Sequence, residues 1–253
     1  MHDPDRLRPR PRQAPRVALR CWLRLAATGA TLYGLTLAPA LAQSLCASDG
    51  QPPVRGLLER FIDAQCESCW ADPQSPLPDP GALAVDWIVP SARGEAAPLA
   101  VAATQDAAWR LQALGRSMVR DRLELHMPVS PSAGQLRVAH GPVFNGYIGT
   151  SIAFSPDPGT AAGELTAWLL LVESIAPGTD GTPVQRNLVR NALQVSWNPS
   201  VQRRAEPAPL HEARPMAVAE GARASRLRVL GWVQDGHGHI LHIAQSGCSE
   251  SSP

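Results

Sequence analysis

The chain has 253 residues, with 23 arginines and no lysine against 22 acidic residues, 25 prolines and 20 glycines. With residues 1–42 set aside as a leader, sixteen arginines remain against twenty acids, a formal charge near −4. That excludes the clustered basic surface on which nucleic-acid binding relies, and the remaining 211 residues suffice for one large domain or two small ones with a real core.

The leader comes first in chain order. Arg6, Arg8, Arg10, Arg12, Arg16, Arg20 and Arg24 precede an apolar run from Leu25 to Leu37, too short to span a bilayer comfortably, and Ala40-Leu41-Ala42 closes it in a small-x-small cleavage pattern. The reading is an export signal over 1–42 with Gln43 as the mature start. A periplasmic or secreted location follows, with no stable membrane anchor after cleavage; a retained anchor is the rival. Leu45 before Cys46 puts a bulky residue where a lipobox wants a small one.

After the Pro-rich stretch Gln51 to Arg55, Gly56 to Ile62 is a short apolar segment, strand or helix by periodicity alone. Cys66-Glu67-Ser68-Cys69 follows it. The prolines at 73, 76, 78 and 80 rule out a long helix behind the thiols, because proline lacks the amide and clashes with the preceding turn. Leu83 to Val89 reads as a buried strand between Pro80-Gly81 and Pro90. Ala108, Leu111, Leu114, Met118 and Val119 recur at helical spacing and predict a helix over Thr104 to Leu125. Beyond it strands are expected over Gln135 to Ala139, Val143 to Ser155, Leu165 to Ile175, Gln185 to Trp197 and Leu227 to Gln234. Asp235-Gly236-His237-Gly238 signals a hairpin into His239 to Gln245. Asn198 to Arg214, rich in Pro and Arg, reads as a surface loop.

Chemistry centres on the cysteines. Cys21 leaves with the leader, and the even count of Cys46, Cys66, Cys69 and Cys248 in an exported chain permits disulfides. Cys66 is paired with Cys69. Cys46 and Cys248 are paired as a structural disulfide, because the ends of a domain often meet in space. A CxxC supports thiol and disulfide exchange when its first thiol is activated, but it also serves as an inert clip or half of a metal site. Glu67 and Asp72 beside it oppose thiolate formation and point to a comparatively reducing couple or a permanently closed disulfide. A metal reading would need histidines such as His237, His239 or His242, and nothing in the sequence places these near the thiols. Trp70, Trp87 and Trp109 line a groove or fill the core. Ser151 and Ser155 lie in no nucleophile elbow, and Asp121 with Glu124 reads as a solvated helix face.

Glu59-Arg60-Phe61, followed by Cys66-Glu67-Ser68-Cys69 and Ala71-Asp72, resembles the signature of a secreted bacterial thioredoxin-like family, domain of unknown function 1223. In that family a strand Glu-Leu-Phe-Thr-Ser runs into Gly-Cys-Ser-Ser-Cys-Pro-Pro-Ala-Asp. Val85-Asp86-Trp87 is similar to its next strand, His-Val-Asp-Tyr-Trp-Asp, and Asn187-Leu188-Val189-Arg190 to its Asn-Val-Val-Arg segment. The departures are Gln65 for the glycine before the first thiol, Trp70 for the prolines after the second, and the missing histidine and tyrosine around Asp86. The resemblance implies an α/β fold: a thioredoxin-like domain over 54–157 carrying the CxxC, and a β-rich C-terminal subdomain over 158–248. It also implies a cis-proline loop facing the thiols, for which Gly141-Pro142-Val143 is the candidate by position; a trans proline opening a strand is the alternative. On the active reading Cys66 attacks, Cys69 resolves the mixed disulfide and Pro142 orients a protein thiol or disulfide client, with no cofactor. The other reading is a non-catalytic binding or scaffold protein whose CxxC is a structural disulfide.

Overall fold

The computed structural model describes residues 46–130, 132–157, 163–198 and 209–248. The expected leader over 1–42 lies outside the described residues. Among these no helix is long and apolar enough to cross a membrane.

Strand β1 (Cys46–Ala47) is followed by β2 (Gly56–Asp63), the one-turn helix α1 (Glu67–Trp70), β3 (Ala82–Val89), helix α2 (Gln105–Ala113) and β4 (Arg122–Pro128). Then come β5 (Gly134–Phe144), β6 (Tyr147–Pro156), β7 (Leu165–Ile175), β8 (Arg186–Trp197), β9 (Leu210–Ala217), β10 (Leu227–Asp235), β11 (Ile240–Gln245) and β12 (Gly247–Cys248). They build a seven-stranded sheet, β11-β10-β7-β8-β3-β2-β4, and a five-stranded sheet, β12-β1-β5-β6-β9. Both sheets draw strands from either side of residues 157 and 158.

This architecture corrects the expected α/β thioredoxin-like domain with a β-rich extension: the fold is β-rich, two sheets with helices of only four and nine residues. One cause is the helix expected over Thr104 to Leu125. It starts as read, with Thr104 Oγ1 accepting the Ala107 amide at the N-cap. It then ends at Leu114, because Gly115 takes φ +64° and the amides of Gly115 and Arg116 close back on the carbonyls of Gln112 and Leu111. That is the Schellman arrangement, which a left-handed glycine makes accessible. The chain then runs into β4, where Leu123, Leu125 and Met127 alternate with Arg122, Glu124 and His126, a period of two rather than 3.6. Two further expectations change. Asn145 and Gly146, both at positive φ, split Val143 to Ser155 with a tight hairpin turn. Leu210 to Arg214, expected as loop, pairs with β6 as part of β9, and 199–208 lie outside the described residues.

Strands β2 and β3 pair in parallel from Gly56↔Ala82 to Asp63↔Val89, and β3 touches β8 in parallel at Asp86↔Leu188; the other strand pairs are antiparallel. Every residue of β2 is buried, which fits apolar residues on both of its faces and makes the charges of Glu59, Arg60 and Asp63 within it exceptional.

One face of the large sheet carries Leu57, Phe61, Val85, Trp87, Leu170 and Trp232 under α2. There the Arg110 guanidinium lies 4.6 Å from the Trp168 ring centre and 5.0 Å from that of Trp232, and donates to Glu59 at 2.7 and 3.0 Å. The Trp87 indole donates to the same carboxylate at 3.0 Å. The opposite face packs β7 and β10 against the small sheet through Ile152, Phe154, Leu169 and Val229. The sheets approach so closely at Gly231 that a Cβ there would sit 2.9 Å from the Ile152 and Val138 side chains and the Trp168 carbonyl. Beyond the edge of the small sheet, the same face of β2, β3 and β8 is covered by the segment bearing the CxxC.

Candidate functional site around the Cys66–Cys69 turn

Strand β2 ends at Asp63, whose carboxylate accepts the Gln65 amide at 2.7 Å and whose carbonyl accepts the Cys66 amide at 2.9 Å. The chain therefore turns sharply onto α1, which the Pro-rich segment behind it holds to a single turn. Cys66 and Cys69 are joined as a disulfide across a sequence separation of 3. Both are half-buried, between exposed Gln65, Glu67 and Ser68 on the outside and the cluster of Ile62, Trp70, Ile88 and Leu188 on the inside.

Beneath this turn lies a set of charges that a sequence reading centred on the thiols does not assemble. The Asp86 carboxylate, fully buried on β3, takes Arg60 at 2.8 and 2.9 Å, Arg186 at 3.0 Å and the Asn187 amide at 2.9 Å. Arg60 also donates to the carbonyls of Pro76 and Gln185. Arg186 donates to the Trp70 carbonyl at 2.9 Å and the Ser75 hydroxyl at 2.8 Å, and reaches the Cys69 carbonyl at 3.4 Å. Its guanidinium lies 5.0 Å from the Trp70 ring centre, and the Trp70 indole donates to the Asp180 carbonyl at 2.9 Å. Two buried cations thus share one buried carboxylate, and the excess positive charge is spent on the carbonyls at the end of the CxxC turn. Burial pushes the Arg186 guanidinium down from its ordinary pKa while the Asp86 charge opposes that shift.

The electrostatics of the thiols change accordingly. Asp72, expected to repel a thiolate, is held by the Gln74 amide and then by an ion pair with Arg122, and its pKa is lowered for those reasons in that order. Glu67 is left as the exposed negative charge in the turn, facing solvent where screening is strong. Charge buried behind the ring is screened far less, and there the Arg60 and Arg186 guanidinium groups stand against the carboxylates of Asp86 and, at the start of the turn, Asp63. A signal for this platform exists in the sequence: Arg60 and Asp86 lie among apolar residues in two short segments, and charges so placed need partners.

A cleft of about 260 Å³ opens beside Trp70, walled by Ile88, Leu99 and Val101 and closed by Glu173 and Arg190. Glu173, 2% exposed, takes Arg190 at 2.6 Å and the Arg223 amide at 3.2 Å, whereas Val101 is 82% exposed at the rim. The cleft has an apolar wall with a polar floor.

Other residues singled out from the sequence fall elsewhere. No cis peptide occurs among the described residues, so Pro142 is trans; it is exposed on β5, at an irregularity in the pairing with β6. Nothing from β5 contributes to the cluster on which Cys66 and Cys69 rest, which corrects its expected place opposite them. Trp87 is core and Trp109 is exposed. His239 pairs with Asp235 at 3.0 Å and His242 with the Ser132 hydroxyl at 3.2 Å, each away from the thiols. Cys46 and Cys248 are bonded as read, across a separation of 202, and are register partners between β1 and β12.

A scan against protein-family models and a search of curated proteins gave no match. Among solved structures, HBP35 of Porphyromonas gingivalis is similar at 12% identity and a TM-score of 0.47, over 79% of this chain and 77% of that one.

Proposed function

We propose that this chain is an exported thiol–disulfide exchange protein acting through Cys66 and Cys69. The observation that carries the reading is a half-exposed CxxC disulfide on a one-turn helix whose terminal carbonyls are held by Arg186, over a buried cluster in which Arg60 and Arg186 share Asp86. Among the described residues all four cysteines are held in two disulfides, which fits an oxidising compartment.

In the reduced protein, the Cys66 thiolate attacks one sulfur of a client disulfide. A mixed disulfide forms, and the client's other sulfur leaves as a thiolate that takes a proton from water. Cys69 then loses its proton and attacks Cys66 Sγ, which closes the ring and frees the second client sulfur. Two electrons pass to the client; the same steps reversed oxidise a client dithiol. The cleft beside Trp70 receives the client, with Val101 and Leu99 against its apolar side chains and the Glu173–Arg190 pair closing the far end.

A second reading, a binding or scaffold protein whose CxxC is a closed clip, is favoured by the packing of both cysteines against Ile62, Trp70 and Ile88. Equilibration of the protein in glutathione buffers of graded poise, followed by alkylation and peptide mass mapping, decides between them. Exchange requires Cys66 and Cys69 to open at a milder poise than Cys46 and Cys248 while the fold persists. A CxxC that stays closed at every poise compatible with native structure retires the exchange reading.

A further inference from the structure

The corner where β1 meets β5 and β12 holds a second set of reactive groups. Cys46 is the register partner of Cys248 on one side and of His140 on the other. The two sulfurs and an imidazole nitrogen of His140 lie within 4.8 Å of one another. His140 is only 6% exposed, as is Cys46, while Cys248 faces solvent. The His140 Nδ1 lies 2.9 Å from the Gly141 carbonyl oxygen. A carbonyl only accepts, so Nδ1 carries the proton and Nε2 presents its lone pair. That Nε2 is buried and has no hydrogen-bond partner. A buried acceptor without a donor is costly, and the ring that carries it brings a nitrogen within 4.8 Å of both sulfurs.

We propose that this corner is a redox-gated metal site: when the Cys46–Cys248 disulfide is reduced, the two sulfurs and His140 Nε2 bind a borderline-soft divalent cation of the zinc type. Two thiolates and one imidazole are a ligand set that Zn2+ takes in tetrahedral geometry, with ligand atoms about 3.5 to 3.8 Å apart, and the fourth position, beside the exposed Cys248, is left to water. The Gly141 carbonyl fixes the ring and its tautomer, as outer-shell acceptors do for metal-binding histidines. The opening step is a two-electron reduction by a dithiol. Its thiolate attacks the exposed Cys248 Sγ and releases Cys46 as a thiol. The second sulfur of the dithiol then displaces Cys248 and leaves as part of a cyclic disulfide. Metal binding expels the two thiol protons; a disulfide oxidant reverses the exchange, its own S–S bond breaking as it takes up the two electrons, and the metal leaves as Cys46–Cys248 re-forms. The oxidised state is the Cys46–Cys248 disulfide; the reduced state exchanges that covalent tie between β1 and β12 for a coordinate one.

The test uses the full mature chain carrying Cys66→Ser and Cys69→Ser, so that the other thiol pair cannot bind, with Co2+ as a spectroscopic probe. After reduction by a phosphine, one equivalent of Co2+ should give a thiolate-to-metal charge-transfer band that Zn2+ abolishes, and His140→Ala should weaken Co2+ binding tenfold or more. The oxidised chain should give no band. The proposal is overturned by the absence of a band at millimolar Co2+, by equal binding in the oxidised chain, or by equal affinity in His140→Ala. Because a reduced chain that unfolds can still bind metal through loose thiols, the titration is repeated in urea: an affinity there equal to that in buffer also overturns it. The outcome is independent of exchange at Cys66 and Cys69, since the Cys66→Ser and Cys69→Ser variant has neither thiol.

Discussion

The two disulfides are the same bond at two very different places. Cys46–Cys248 spans a sequence separation of 202 and joins two-residue strands at the edge of the small sheet. Cys66–Cys69 spans a separation of 3 within one helical turn at the end of the large sheet's parallel pair. In the chain-entropy model the first restrains the unfolded state by about 5 kcal/mol and the second by about 2 kcal/mol. A ring of four residues is a poor staple, whereas the long tie is a good one. Position in the chain, not sulfur chemistry, separates their roles.

The largest effect therefore belongs to the outer pair. Cys46→Ser with Cys248→Ser should lower unfolding free energy by up to about 5 kcal/mol, read as a fall in the urea midpoint. An equal loss in the double serine variant of Cys66 and Cys69 would break the contrast. Next comes the charge platform. Asp86→Ala leaves Arg60 and Arg186 buried together without their shared carboxylate, and breaking a buried ion pair in this way costs about 3 to 5 kcal/mol. Because Arg186 anchors the Cys69 and Trp70 carbonyls, the same variant should also shift the glutathione poise at which the CxxC opens and leave that of Cys46–Cys248 in place. Smaller in stability is Cys66→Ser with Cys69→Ser, at about 2 kcal/mol or less. The single Cys69→Ser variant sharpens the comparison chemically, since without its resolving thiol it should accumulate a mixed disulfide on Cys66 when offered an oxidised peptide, detectable by mass.

The sequence made some of this legible and hid the rest for identifiable reasons. The pairing of the cysteines and strands such as Leu83 to Val89 and Leu165 to Ile175 are written in local pattern and in the even cysteine count. The balance of sheet over helix was hidden because Ala108, Leu111 and Leu114 have true helical spacing, while the turn at Gly115 and the alternation of Leu123, Leu125 and Met127 start a different element only a few residues on. The Arg60–Asp86–Arg186 cluster was half visible: charges inside apolar strands demand partners, yet the partner of Asp86 at position 186 lies 100 residues away, where only the parallel register of β3 with β8 brings it in. His140 carried no motif at all. Its place beside Cys46 follows from strand pairing between residues nearly a hundred positions apart, which periodicity does not encode.

The two corners also differ in how they titrate, and this gives the smallest effect. Burial, opposed by the Gly141 carbonyl and assisted by the Arg228 charge, holds the His140 pKa below its ordinary 6.5. Burial likewise lowers the pKa of His242, on β11, against the pull of Ser132 and Asp157. A base whose folded pKa is depressed stays neutral while the unfolded chain takes up a proton. Stability therefore falls as pH drops from about 6.5 toward the folded values, by at most about 1.4 kcal/mol per pH unit for each histidine. The inner corner responds elsewhere. Asp72 has its pKa lowered from 3.8, so what its pairing with Arg122 contributes is present above that value and is lost only as pH falls through the lower folded one. Urea midpoints measured from pH 7.5 to pH 4.5 should thus decline first through the histidines. In His140→Gln the slope between pH 6.5 and 5 should flatten, because one of the two groups that resist protonation in the fold is gone. An unchanged slope would mean that the imidazole beside Cys46 takes up its proton as readily in the fold as in the open chain, and the burial that leaves its Nε2 without a partner would no longer account for the acid sensitivity of that corner.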